Sequence, residues 1–295
     1  MASSERERLE KLRQVAAIDP DPQRFQPKSD EVFISTYCKA GTTWTQQIVH
    51  QLRTGGHMDF DEIHEVIPYL PFGDIEPQIP LDTPQPANPR CYKSHDTWET
   101  VPKGCKYIYV ARDPVDNFYS LYLHTHDVLA LEEGVTTDDF YFKGYESHVR
   151  TVWNHQLSWW KQRNNPDVLF LFYEDYKEDF DGSLKRIADF LNIKLSEEKE
   201  RVVKEYCSFA FMKQHWAKFN GHLQRSHESQ TWHSPTEEVP IKYGKVRNGQ
   251  GGQGRQLLSP DVVASIEDHW RAAFKNYGFE RYADMRNASI ESRVQ

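Results

Sequence analysis

The run VFISTYCKAGTTWTQQIV, residues 32–49, constrains this chain more than any other feature. Val32–Tyr37 is β-branched and aromatic and follows the polar KSDE, a pattern that predicts a buried strand. Thr43–Leu52 has helical character and stops before Gly55-Gly56. Little more than CKAGT separates the two, so a strand's carboxyl end turns almost at once into a helix. Such a turn offers an anion its unpaired backbone N–H groups and the positive end of a helix dipole. Gly41 lets the backbone approach that anion closely, Thr42 and Thr43 add hydroxyl donors, and Lys39 adds a charge. The loop is not a Walker P-loop. Its lysine precedes the single glycine, whereas G-x-x-x-x-G-K-[ST] places it after. No acidic residue ends the third expected strand to hold Mg²⁺, so an ordinary metal-dependent kinase is disfavoured.

Three more strands are expected at Arg90–Ser94, Lys106–Ala111 and Val168–Tyr173, the last almost wholly apolar, as in a strand covered on both faces. A helix is expected from near Pro114, and amphipathic helices at Leu184–Leu191 and Glu197–Tyr206. Residues 68–90 hold seven prolines and read as a long surface loop. Alternating strands and helices predict an α/β fold, a single P-loop-like domain with a central parallel sheet flanked by helices. That domain is expected to span residues 1–295, with 1–28 a loosely held lead-in, the last ten or so a tail, and Asn248–Gly254 (NGQGGQG) of low complexity.

Composition narrows the partners. With 36 basic against 44 acidic side chains the net charge is −8, which argues against nucleic acid or an anionic membrane but not against a small anion. No uncharged run approaches the roughly 20 residues that span a bilayer. The start, MASSERERLEKLRQ, lacks the apolar core of a secretory signal, so a cytoplasmic location is expected. The four cysteines have no CxxC spacing. His124 and His126 are two apart on an expected helix and so point to different sides; no metal site is expected.

Further segments carry a family resemblance. TYCKAGTTW resembles the 5′-phosphosulfate loop of the cytosolic sulfotransferases, T-Y-P-K-S-G-T-T-W, with Cys38 and Ala40 departing from it. CYKSHDTW resembles the family's K-[ST]-H element, and YVARDPVDNFYS its R-[ND]-P-x-D-x-x-x-S segment. FLFYEDY is similar to the Y-E-D element, and CSFAFMK to T-S-F-x-x-M-K, with Cys207 in place of Thr. VRNGQGGQGR is similar to R-[KN]-G-x-x-G-x-x-K, with Arg255 in place of Lys and the usual Asp-Trp missing.

The resemblance implies transfer of a sulfuryl group from 3′-phosphoadenosine 5′-phosphosulfate to a hydroxyl or amine of a small acceptor. Adenosine 3′,5′-bisphosphate is then the product, and no metal is used. It implies His95 as general base, with Lys39 and Lys93 stabilising the transferring group. Lys39, Ala40, Gly41, Thr42 and Thr43 would cradle the 5′ end, and Arg112, Ser120, Arg247, Asn248 and Gly249 the 3′-phosphate. Trp44, Tyr173, Ser208 and Phe209 would lie at the nucleoside, two of them (Trp44 and Phe209) stacking on adenine. A nucleotide phosphotransferase with a degenerate loop, or an inactive nucleotide-binding relative, stays open. So does the acceptor. The six acids of His57–Pro77 form either a solvated face or a site for a cationic acceptor, and aromatics at Phe118–Tyr122 and Tyr141–Tyr145 suit a phenol. The family's dimer motif K-x-x-x-T-V-x-x-x-E has no clear copy after Arg255, which leaves a homodimer open.

Overall fold

A computed structural model describes residues 25–70, 79–129, 134–146, 149–220, 224–225, 232–233, 245–247 and 249–294. Four strands build the main sheet: β1 Val32–Thr36, β2 Cys91–Ser94, β3 Lys106–Ala111 and β4 Val168–Phe172. Their order is β2-β1-β3-β4, and all neighbouring pairs are parallel. In register, Ile34 lies between Lys93 and Ile108. Because the chain leaves β1 toward β2 and later continues from β3 toward β4, the strand order reverses between β1 and β3. Ligands of open parallel sheets bind outside the carboxyl ends of the strands at such a point.

The two faces of the sheet differ in chemistry. Period-2 alternation sends Phe33, Tyr92, Tyr107, Tyr109 and Phe170 to one side, where they pack with Trp159 and Trp270. Val32, Ile34, Ile108, Val110 and Leu171 face the other side. Helices α1 (Thr42–Thr54), α7 (Phe180–Phe190) and α8 (Glu197–Tyr206) cover the aliphatic face. Helices α5 (Val149–Trp160) and α11 (Pro260–Phe274) cover the aromatic one. Between these in sequence lie the short α2 (Ile63–Val66), the long α3 (Pro114–Leu129), α4 (Thr137–Phe140) and α6 (Tyr173–Glu178). Two more short helices are α9 (Phe209–Gln214) and α10 (Gln253–Leu257), and α12 (Tyr282–Val294) ends the chain.

Two expectations change, and a third segment gains defined contacts. The tail is instead α12, pinned by Arg286, whose Nε donates to Asp175 Oδ1 at 2.8 Å and whose Nη2 lies 2.5 Å from Glu178 Oε2. The expected lead-in belongs to the body from Phe25 onward, because that ring packs 4.9 Å from Tyr92. The glycine-rich run is built in: the N–H groups of Gly252 and Gly254 donate to Asp116 at 2.5 and 2.8 Å. A Cβ on Gly254 would stand 2.6 Å from the Val115 carbonyl oxygen, so the close approach excludes any side chain there.

Trp159 ties core to site. It is fully buried, stacks on Tyr109 at 5.2 Å, and its Nε1–H donates to the carbonyl of Asp96 at 3.0 Å. Trp159→Ala should cost about 3–5 kcal/mol of stability by cavity formation. Urea unfolding monitored by circular dichroism measures this, and a loss under 1 kcal/mol would contradict the packing described.

Candidate active site

The carboxyl ends of β1, β2 and β3 open into a cleft of about 410 Å³. Its floor is the turn from β1 into α1. Lys39 and Gly41 both take left-handed backbone there, at φ 66° and 101°. Only glycine adopts that conformation without strain, so Lys39 stores some in the loop. Neighbouring elements hold it there: Arg112 Nη1 donates to Lys39 O at 2.8 Å, and Asn117 Nδ2 to Cys38 O at 2.9 Å. No side chain caps the N-terminus of α1, which leaves its first N–H groups for an anion. A Cβ on Gly41 would lie 2.6 Å from the Tyr173 ring, so the ring can close over the loop only because position 41 has no side chain.

Lys39, Gly41, Thr42, Thr43 and Trp44 line this side of the cleft. Lys93 and His95 enter from β2, and Arg112 and Ser120 from β3 and α3. Tyr173, Phe209, Arg247 and Gly249 complete the expected set. Ala40 is buried beneath the loop instead. Ser208 does not line the cleft; its hydroxyl caps α9 by accepting the Phe211 N–H at 3.2 Å. Asn248 lies outside the described residues. Trp44 is anchored by its Nε1–H to the Cys207 carbonyl at 2.9 Å, and the Arg112 guanidinium sits 4.5 Å over the Tyr173 ring. Arg112 Nε is buried with no hydrogen-bond partner.

His95 has a defined tautomer. Its Nδ1 lies 2.8 Å from the carbonyl oxygen of Thr36. A carbonyl only accepts, so Nδ1 carries the proton and Nε2 keeps the lone pair. The His95 backbone is fixed in turn, its carbonyl accepting from His155 Nε2 at 3.0 Å. Burial foremost, and then the charge of Lys93, holds the His95 pKa well below 6.5, so the imidazole is neutral at physiological pH. Burial and the neighbouring Lys245 bring Lys93 down to about 7. Burial also lowers Lys245. Cations thus converge at a partly desolvated cleft, and an anionic ligand would relieve that cost.

Sequence reasoning missed Lys245 and His124, both of which line the cleft. Each carried a signal: Lys245 is two residues before Arg247, and His124 is one helical turn after Ser120. Of the aromatics expected for a phenol pocket, Phe118 and Tyr141 are core residues and the Tyr119 ring lies 5.7 Å from the Arg247 guanidinium, while α3 presents Leu121, His124 and Thr125 to the cleft. The acidic segment is no uniform face either. Asp59 and Asp61 are exposed, Glu65 is half-buried, Glu62 is fully buried, and Asp74 and Glu76 lie outside the described residues. Among the described residues, no group of three His, Cys, Asp or Glu could hold a metal ion.

An uncapped helix terminus at the sheet's switch point, ringed by lysines and arginines and faced by a neutral histidine, gives this α/β protein a cleft suited to an anionic ligand. The chain belongs to the sulfotransferase family: residues 29–278 match the model of the sulfotransferase domain. It is 33% identical over 197 residues to an amine sulfotransferase of Oryctolagus cuniculus, a match spanning 64% of this chain and 65% of that protein. It is 30% identical over 289 residues to sulfotransferase 1E1 of Homo sapiens, covering 92% of this chain and 90% of the relative. Among solved structures, retinol dehydratase in complex with retinol and PAP superposes with a TM-score of 0.68 at 25% identity, covering 90% of this chain and 85% of that one. Mouse sulfotransferase SULT7A1 complexed with PAP shares the fold, with a TM-score of 0.64 at 22% identity over 89% of this chain and 92% of that one. No described helix is long and apolar enough to cross a membrane.

Proposed function

We propose that this enzyme transfers a sulfuryl group from 3′-phosphoadenosine 5′-phosphosulfate to the hydroxyl of a small acceptor. The observation that carries the reading is the His95 tautomer: its Nδ1–H donates to Thr36 O, so the lone pair is on Nε2, in the cleft that Lys93 also lines. The donor nucleotide, when bound, supplies the activated sulfuryl group. The residues present fit it: the uncapped start of α1 suits the 5′ end, and the unpaired Nε of Arg112 suits a phosphate. Arg112, Ser120, Arg247 and Gly249, which line the same cleft, would form the 3′-phosphate set. Trp44 and Phe209 offer aromatic faces for adenine.

Catalysis is then mostly positioning and electrostatics, as in phosphoryl transfer. Lys39 stands on the loop, where it neutralises charge growing on the leaving phosphate. Lys93 neutralises the equatorial oxygens of the moving group. His95 takes the acceptor's proton at Nε2. The cation-rich cleft favours a neutral or acidic acceptor over an alkylammonium ion, which would meet Lys93 and Lys245. The amine named for the Oryctolagus cuniculus relative would enter this cleft only as its neutral form.

The test is sulfate transfer from labelled donor, with EDTA present, into matched phenols, neutral alcohols and primary amines. Transfer should persist in EDTA, with kcat/KM for a phenol at least tenfold above that for an alkylammonium of equal size at pH 7. Mg²⁺-dependent turnover of ATP without sulfate transfer would establish the phosphotransferase alternative instead.

A further inference from the structure

Glu62 and His64 have no part in the chemistry above, yet both are buried, at 0% and 5% exposure, directly behind Lys93 at 7%. They belong to α2 and the residue that leads it. The chain after α2 is fastened to the edge strand at Lys93 itself: Lys93 N donates to Pro68 O and Leu70 N to Lys93 O, both at 2.8 Å. His64 Nδ1 lies 3.2 Å from Glu62 Oε2, and His64 Nε2 lies 3.4 Å from Lys93 Nζ. An ammonium only donates, so Nε2 keeps its lone pair toward the lysine and the imidazole carries its proton on Nδ1, the nitrogen nearer Glu62. Tyr69 closes the cluster. Lys93 Nζ sits 4.3 Å from its ring centroid, His64 stacks on it at 5.9 Å, and His95 meets its edge at 5.6 Å.

A carboxylate taken out of water is costly unless it is paired. Among the described residues, His64 is the partner within ion-pair distance of Glu62. We propose that Glu62 and His64 are positioning residues for Lys93: through the neutral imidazole they bring a buried negative charge to the back of the lysine, fixing its ammonium and keeping it charged. The inference rests on Lys93 acting at the transferring group.

The need for such a device follows from what surrounds Lys93. The anion loop presents Lys39 and Cys38, the segment before Arg247 presents Lys245, and the end of β2 presents His95. Burial is the largest cause lowering Lys93, then Lys245, with Lys39 adding to it, while Cys38 and Glu62 work in the opposite direction. Lys93 is useful as an ammonium, so activity is lost as pH rises through its pKa. Removing the charge of Glu62 lowers that pKa and moves the alkaline limb of the rate profile to lower pH.

The experiment compares kcat between pH 6 and 9 for wild type, Glu62→Gln, His64→Phe and His64→Gln, with saturating sulfate donor and a phenol. Glu62→Gln and His64→Phe should shift the alkaline limb down by about one unit. That makes them about tenfold slower above the limb and near wild type at pH 6. His64→Gln, whose amide can accept from Lys93 and donate to Glu62, should keep the limb close to wild type. A purely structural role predicts losses equal at every pH, and either that result or an unmoved limb in Glu62→Gln and His64→Phe overturns the proposal. If Glu62→Gln fails to fold, the two His64 variants carry the same comparison. Sulfate transfer by wild type with an unmoved limb rejects only this inference. Absence of sulfate transfer by wild type, with Mg²⁺-dependent ATP turnover in its place, rejects the functional reading itself.

Discussion

His95→Ala should lower kcat by about 10²–10⁴-fold, the usual worth of a general base, while the affinity for adenosine 3′,5′-bisphosphate stays at the wild-type value. The separation is expected because the backbone at this position does not depend on the imidazole. The His95 carbonyl accepts from His155 Nε2, and His155 Nδ1 is met by the Tyr109 hydroxyl at 3.3 Å. The next residue, Asp96, is held through its carbonyl by Ser35 and Trp159, and its carboxylate accepts from the Ser94 hydroxyl at 2.5 Å. Alanine therefore removes a base and the bond to Thr36, not the strand end. Single-turnover transfer and calorimetric titration of the bisphosphate read the two quantities separately. Turnover like wild type in this variant would remove His95 from the mechanism. The pH dependence adds a second check: with its pKa held well below 6.5, the imidazole stays neutral on mild acidification, so the His95-dependent loss of rate should fall well below pH 6.5.

Much of this architecture was legible because the strands of a parallel sheet are buried on both faces and read as apolar runs. Lys106–Ala111 has the limits expected of it, and the other three strands differ from expectation by a terminal residue. The anion loop was less plain, since lysine, glycine and two threonines between a strand and a helix suit an ordinary βα turn as well as an anion, and only the further segments favoured the anion. What escaped was whatever depends on contacts distant in sequence. NGQGGQG is low in complexity and its resemblance points to a 3′-phosphate, but nothing in it announces that Asp116, 136 residues from Gly252, binds its N–H groups. Ser208 belongs to a segment shared with nucleotide-binding relatives, but a serine ahead of Phe-Ala-Phe-Met is also a helix cap, and here its hydroxyl caps. Glu62 sat in a run of acids whose natural reading is a wet surface. In the fold it is fully buried, ahead of the segment that docks on the edge strand at Lys93.

Lys39→Met should slow the chemical step by on the order of 10²–10³-fold, the loss typical of removing one preorganised charge-stabilising group. Methionine is the informative replacement. It keeps a Cβ and a long unbranched stem, so the left-handed strain at φ 66° is carried over unchanged, whereas glycine would relieve that strain and confuse the comparison. The loop itself should survive, because Arg112 grips the backbone carbonyl of residue 39 and not its side chain. Single-turnover transfer measures the effect, and an unchanged rate would remove Lys39 from the leaving-group role. The variant also predicts a displacement of the pH profile. Lys39 is one of the charges that depress Lys93, so its removal should raise the Lys93 pKa and carry the alkaline limb to higher pH. Glu62→Gln is expected to carry the same limb the other way. Two substitutions near one ammonium, one removing a positive and one a negative charge, that move a single titration in opposite directions would identify Lys93 as the titrating group; movement in the same direction would assign the limb to another residue.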